Sequence, residues 1–267
     1  PDVIRLTAPN PSIMTGPGTN TYLLGNASGG WSVIDPGPAD SVHIQRIMEI
    51  TGGDIRQVIT THTHRDHSPG ARPLKEQTGA KLVGMPPPGD PTQDHDYVPD
   101  QIPVDGDLIE TAAGTLKVLH TPGHASNHLC FLLEQEQMLF AGDHIMQGST
   151  VVINPPDGDM KDYLNSLDRL LQEHIRWIAP AHGFLIGHVQ SVIDWLMTHR
   201  LTRERKVAKT LESHGPGTLK ELTKHAYDDV PAAIHGLASR SLLAHLIKLK
   251  KDNRARENGE LWEVVEG

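Results

Sequence analysis

The sequence predicts an α/β fold over residues 1–200, followed by a smaller helical domain of winged-helix type over residues 201–267. Two observations predict the first part. Short apolar, β-branched runs alternate with helical periods along it, and a surface-helix pattern, SVHIQRIMEIT with Ile44, Ile47 and Met48 on one face, stands between the strand-like runs WSVID and DIRQVIT. A third predicts the second part. After residue 200 the chain turns to helical patterns closed by ARENGELWEVVE, where Asn258-Gly259 stands ahead of a strand-like run, compatible with a β-hairpin.

Taken in order, VIRLTA, NTYLL and WSVID are short strands separated by TGPGTN and GNASGG, and so read as a meander. Asp35, followed by Pro36 and Gly37, ends a buried-looking strand. It suits either an acid that steadies a neighbouring loop or a turn-starting aspartate. DIRQVIT (residues 54–60) leads into a polar loop, after which a helix is expected from about Pro69 to Thr78 and a strand from Lys81 to Gly84. The proline-rich acidic tract MPPPGDPTQDHDYVPDQ (residues 85–101) reads as a long loop on the side of the sheet where the polar loops gather. Its His95 reads as a solvated loop histidine rather than a substrate contact. Three or four strands follow to residue 143. Residues 157–175 then place Met160, Tyr163, Leu164, Leu167, Leu170 and Leu171 at helical spacing, a face that packs on a sheet. From Val189 to Leu211 one long helix is expected to leave the first domain and enter the second. There Thr218 and Glu221 form a capping box, and SRSLLAHLIKLKKD is an amphipathic helix.

Composition narrows the function. The single cysteine, Cys130, excludes an intrachain disulfide framework and a cysteine-rich zinc fold, and within HLCFLLE it reads as a buried small hydrophobe. No stretch approaches the roughly 18 apolar residues of a membrane span, so no membrane partner is expected. The first residues lack a charged-then-apolar targeting pattern, which gives a cytoplasmic expectation. Pro1 is not an initiator Met, and a trimmed leader is compatible with that. Residues 1–200 hold 12 Lys and Arg against 23 Asp and Glu, a net of −11, whereas residues 201–267 hold 12 against 10, a net of +2. The acidic excess argues against a basic nucleic-acid groove in the first domain and makes the second the better place to attract an anion. The oligomeric state is left open.

The stretch TTHTHRDHSPG (residues 60–70) concentrates three imidazoles and one carboxylate in six positions, His62 to His67. That density points to a metal. Alternate residues His62 and His64 can face one point, while Asp66 and His67, beyond the bend, can face a second. TPGHASNH, AGDHI and PAHG each follow a strand-like run and supply His124, Asp143 and His182. Together they suit two zinc ions: His62, His64 and His124 on one, Asp66, His67 and His182 on the other, and Asp143 bridging. Such a site would hold a shared water whose pKa falls from ~15.7 to about 7, a nucleophile for a carbonyl carbon or a phosphorus. Asp66 would orient it, and His144 is a candidate proton donor. Asp66 and Asp143 are thus the candidate catalytic residues.

At these residues the chain resembles the metallo-β-lactamase superfamily, whose signature is HxHxDH followed by a distant His, a bridging Asp and a last His. The resemblance spans nearly all of residues 1–200 and implies an αβ/βα four-layer sandwich with a dinuclear site at one edge. GTNTYLL, WSVIDPG, TPGHASNH, YLNSL, PAHG and a tail with HRLTRERK and LLAHLIKL are similar to the lactamase-beta-two and glyoxalase II-like group, which implies a thioester, ester or single-stranded RNA substrate. Ser68-Pro69-Gly70 replaces the Gly-Gly of many relatives, and PAHG the commoner PGHG. The bridging aspartate argues against antibiotic hydrolysis. Two other readings fit the same residues less well: a mononuclear iron sulfur dioxygenase, and a nucleic-acid-binding protein with a vestigial metal site. The tail reads as a lid over the site in preference to an RNA grip.

Overall fold

The structure, a computed structural model, describes residues 3–265, so Pro1 lies outside it. The first three strands, β1 (Val3–Thr7), β2 (Asn20–Asn26) and β3 (Gly30–Ile34), pair antiparallel in the expected meander. Helix α1 (Ser41–Thr51) crosses to β4 (Ile55–Ile59), and α2 (Ala71–Thr78) to β5 (Lys81–Val83); both strands continue the sheet in parallel. Local chemistry sets these ends. The Asp40 side chain caps the backbone N–H of His43, and Gly52 and Gly79 close α1 and α2 in the left-handed conformation. α2 begins two residues later than expected from Pro69: Gly70, pressed against Pro36 and donating its N–H to the Gly37 carbonyl, is the N-cap, and its own carbonyl accepts from the Leu74 N–H.

Four antiparallel strands follow, β6 (Leu108–Thr111), β7 (Gly114–His120), β8 (Leu129–Leu133) and β9 (Met138–Gly142). Helix α3 (Met160–Leu170), capped by the Asp159 carboxylate, then leads to β10 (Trp177–Pro180), parallel to β9. This second sheet runs β10-β9-β8-β7-β6.

Side-chain alternation explains how the layers stack. In β8, Leu129, Phe131 and Leu133 face the first sheet and meet Tyr22, Leu24, Ile34 and Ile59, while Cys130 and Leu132 face α3. Both faces are buried, and so the run is apolar throughout. Outside the first sheet, Ile44 and Ile47 of α1 and Leu74 of α2 pack on Leu23, Val33 and Val58. Helix, sheet, sheet, helix is the αβ/βα order. Cys130 is fully buried, and burial pushes its thiol up to about 12.

Helix α4 (Val189–His214) is continuous; Ile193 and Leu196 belong to the core around α3, Val207 and Leu211 to a separate core. That second core joins α5 (Leu219–Ala226) and α6 (His235–Lys251) to a small sheet ordered β11-β13-β12, from β11 (Gly217–Thr218), β12 (Ala255–Asn258) and β13 (Leu261–Val264). The Thr218–Glu221 capping box forms in both directions. α6 also docks on the sandwich: Ala244 enters the core around α3, and Lys251 pairs with Asp159 at 2.5 Å. Among the described residues no helix is long and apolar enough to cross a membrane.

Candidate metal centre

The polar loops named above all leave the same edge of the two sheets. His62, His64, Asp66 and His67 follow β4 in the first sheet, while His124, Asp143 and His182 follow β7, β9 and β10 in the second. Their ligand atoms fall into three overlapping groups, each within 4.8 Å: His62, His64 and His124; His62, His67 and Asp143; Asp66, His67 and His182. All seven residues picked from sequence are brought together. Asp143 lies between the outer groups, its Oδ2 3.5 Å from His124 Nε2 and 3.6 Å from His67 Nε2, its Oδ1 3.2 Å from His182 Nε2.

Hydrogen bonding fixes which ring nitrogens face inward. His124 Nδ1 is 2.6 Å from the Val152 carbonyl and must donate to it; His67 Nδ1 donates to Asp35 Oδ2 at 3.0 Å; His182 Nδ1 faces the Gly18 carbonyl at 3.4 Å. The Thr61 hydroxyl gives its proton to Asp35, so it accepts from His62 Nδ1. Four Nε2 atoms are therefore turned into the cluster, where each offers a lone pair when its ring is neutral. His62 Nε2 and His124 Nε2 lie 2.9 and 3.0 Å from the same atom, His64 Nδ1, which has one proton at most to offer them. His67 Nε2 and Asp143 Oδ1 are buried with no hydrogen-bond partner. Inward-turned ring nitrogens converging on two carboxylates are what a cation can satisfy in place of protons, and spacings near 3 Å suit N and O ligands about 2 Å from a metal.

The electrostatics agree. Burial and the adjacent His67, with His64, His128 and His124, keep His62 well below the usual imidazole range; burial and His124 push His64 down to about 3. Both stay neutral at pH 7, as ligands must. On the other side burial would lower His182, yet Asp143 and Asp66 outweigh it and push it up to about 10, and His67 is raised likewise. Burial would raise Asp66 and Asp143, but the facing histidines hold both carboxyls below their usual range. The negative field that draws protons to His67 and His182 also favours a divalent cation.

Several supporting residues were missed or left undecided in the sequence. Asp35 is one: its carboxylate accepts from the Thr61 N–H, the Thr61 hydroxyl and His67, and so it steadies the ligand loop. Thr19, in the TGPGTN turn, donates to Asp66 Oδ2 at 3.0 Å and accepts from Asn10. His128, the second histidine of TPGHASNH, receives the Asp143 backbone N–H on Nε2 and hands its own proton to Thr121. Gly142, at φ 49°, lets these parts approach; a Cβ there would stand 2.6 Å from both His128 Nε2 and Thr61 Oγ1. Asn20 and Tyr22 hold the Pro180 carbonyl and so the loop of His182. His144 is a correction. Its ring is fully buried against Tyr163 and away from the cleft, because the turn after Asp143 directs it into the core. His95 is exposed and bonds the Asp90 carbonyl, as a solvated loop histidine would.

The cluster floors a cleft of about 960 Å³ with apolar walls from Ile13, Met14, Met146 and Phe184 and, from the C-terminal domain, Leu237, beside which stands the cationic Arg240. Residues 14–182 match the family described as the metallo-beta-lactamase superfamily. The chain belongs to that superfamily. Residues 218–262 match the beta-lactamase associated winged helix domain. A beta-lactamase-like protein 2 homolog of Caenorhabditis elegans is 32% identical over 257 residues, covering 94% of this chain and 84% of that relative. An atrochrysone carboxyl ACP thioesterase of Aspergillus novofumigatus is 32% identical over 253 residues, 88% of this chain and 71% of the relative. The crystal structure of a metallo-beta-lactamase family protein from Thermus thermophilus shares the fold with a TM-score of 0.82 over 98% of both chains at 23% identity. The superfamily match thus falls on the sandwich and the winged-helix match on the tail.

Proposed function

We propose that this protein is a dinuclear zinc hydrolase of thioesters, with His62, His64 and His124 on one cation, Asp66, His67 and His182 on the other, and Asp143 shared between them. Bound there, two zinc ions would supply Lewis acidity and a water acidic enough to react near neutral pH. Four neutral or neutralisable imidazoles with Nε2 turned inward, joined by two carboxylates, suit borderline zinc. Thr19 steadies Asp66, which orients the attacking water from the cleft floor. Asp35 and His128 hold His67 and Asp143 in register.

One observation carries the choice of thioester. Apart from the proposed ligands, the titratable groups among the described residues lining the cleft are Asp90, Asp157, Arg65 and Arg240. The two carboxyls are otherwise engaged: hydrogen bonds from Thr92 keep Asp90 below the usual carboxylate range, and Asp157 accepts from Ser126 and Gln93. This cleft therefore favours a leaving group that can depart without a proton. A thiolate, with a pKa of about 8.5, does so readily, whereas an alkoxide from an ester or an RNA strand does not. The apolar walls suit an acyl chain, and one relative bears a thioesterase name.

The test is a matched panel of thioester, oxygen ester and single-stranded RNA with metal analysis alongside. We expect close to two zinc per chain, and thioester turnover exceeding ester turnover by about 10²–10⁴, the range a missing general acid spans. One iron and no zinc, or cleavage of RNA with the thioester inert, would overturn the reading.

A further inference from the structure

The cleft wall contributed by the C-terminal domain consists of Leu237 and Arg240, one turn apart on α6. We propose that Arg240 anchors an anionic group, a carboxylate or phosphate, carried by the substrate. This rests on the hydrolase reading and adds what the substrate must bear away from its scissile bond.

Arg240 is exposed and, among the described residues, makes no ion pair or hydrogen bond. Most of the tail's other cations are committed: Arg203 and Lys206 pair with Asp229, Lys248 with Glu204, Lys251 with Asp159, Arg256 with Glu263. Nor do the cleft's carboxylates reach it. Asp66 and Asp143 face the histidines, Asp90 is held by Thr92, and Asp157 by Ser126 and Gln93. A guanidinium lining the cleft beside apolar side chains, with the cleft's acids already engaged, has its five donors free for an incoming anion. The apolar side chains beside it stay open for the rest of that ligand: Ile13 is 94% exposed, Phe184 60% and Leu237 43%. An occupant with an apolar body and an anionic end fits this wall.

The anion could belong to the acyl group or to the thiol, and two matched pairs of thioesters of equal acyl length separate these: hexanoyl N-acetylcysteamine with its ω-carboxylate counterpart, and hexanoyl pantetheine with its 4′-phosphate. With the metal-loaded full chain we expect one charged substrate to exceed its neutral partner in kcat/KM. Arg240→Ala should shrink that ratio by about 10- to 100-fold, chiefly through KM, as expected for losing a charged hydrogen bond, and Arg240→Lys should restore part of it. The carboxylate or the phosphate probe responding identifies the side of the anion. Equal kcat/KM for charged and neutral probes, or one common loss in Arg240→Ala, would overturn the proposal. If no thioester turns over, the thioesterase reading fails by itself. The anchor is then read by calorimetry with the matching amides, where a loss of affinity in Arg240→Ala confined to a charged amide supports it and equal affinities sink it.

Discussion

Asp35 shows how a single residue can be visible in the sequence while its role is not. WSVIDPG marks it as the end of a strand and no more, and its backbone takes φ 47°, a conformation that aspartate tolerates better than most side chains. Its work is at long range: it orders Thr61 and His67 from 26 and 32 positions away. The seven proposed ligands were legible because their side-chain types are rare together and sit at strand ends, whereas Asp35, Thr19 and His128 act through contacts that no spacing encodes. Asp35→Asn should keep the bond from the Thr61 N–H but turn an amide donor toward the His67 N–H. We expect metal affinity to fall by about 10–100-fold, the usual result of removing a ligand's outer partner. Competition with a chromophoric chelator measures it, and unchanged affinity would remove Asp35 from that role. His144→Phe, by contrast, should shift stability and leave the pH profile of turnover in place, since its ring faces Tyr163.

At the scale of elements, the long helix α4 was readable from its pattern, but one of its side chains was not. Arg200 stands where the sequence divides into two domains, and a charge there suggests a solvated face. It is 4% exposed instead, with its guanidinium over the Tyr163 ring and Nη2 donating to the Val151 carbonyl. The next carbonyl, that of Val152, receives the proton of His124 Nδ1. α4 thereby holds the segment that orients a proposed ligand. Arg200→Ala should leave the Val151 carbonyl unpaired and destabilise the chain by about 1.5–3 kcal/mol, as for hydrogen bonds to charged groups. Turnover should fall further than stability alone accounts for, because His124 loses its support. Urea unfolding and kcat/KM on the same samples test this; a stability loss with full activity would confine Arg200 to packing.

For the molecule as a whole, the strands and helices follow from their patterns, but the stacking does not. β8 and β9 are apolar on both faces, and nothing local says which face meets the other sheet; the resemblance, rather than periodicity, gave the αβ/βα order. The docking of α6 was also hidden, since it depends on Ala244 and on Lys251 meeting Asp159 across 92 positions. The assembled arrangement has a thermodynamic consequence. Four proposed ligands leave the first sheet and three the second, so bound cations would tie the two sheets at one edge. A ligand that binds only the folded chain stabilises it by RT ln(1 + [L]/Kd), about 4 kcal/mol at a thousandfold excess over Kd. For a chain of this size, that is a Tm shift of roughly 8–16 °C. Verified removal of metal should therefore lower the melting temperature by about 10 °C. Hydrogen exchange should quicken at the ends of β4, β7, β9 and β10 before it does in the separate core of α5 and α6. An unchanged melt after metal removal, with exchange rising equally in both cores, would mean that the cluster binds no cation strongly enough to hold the sheets together.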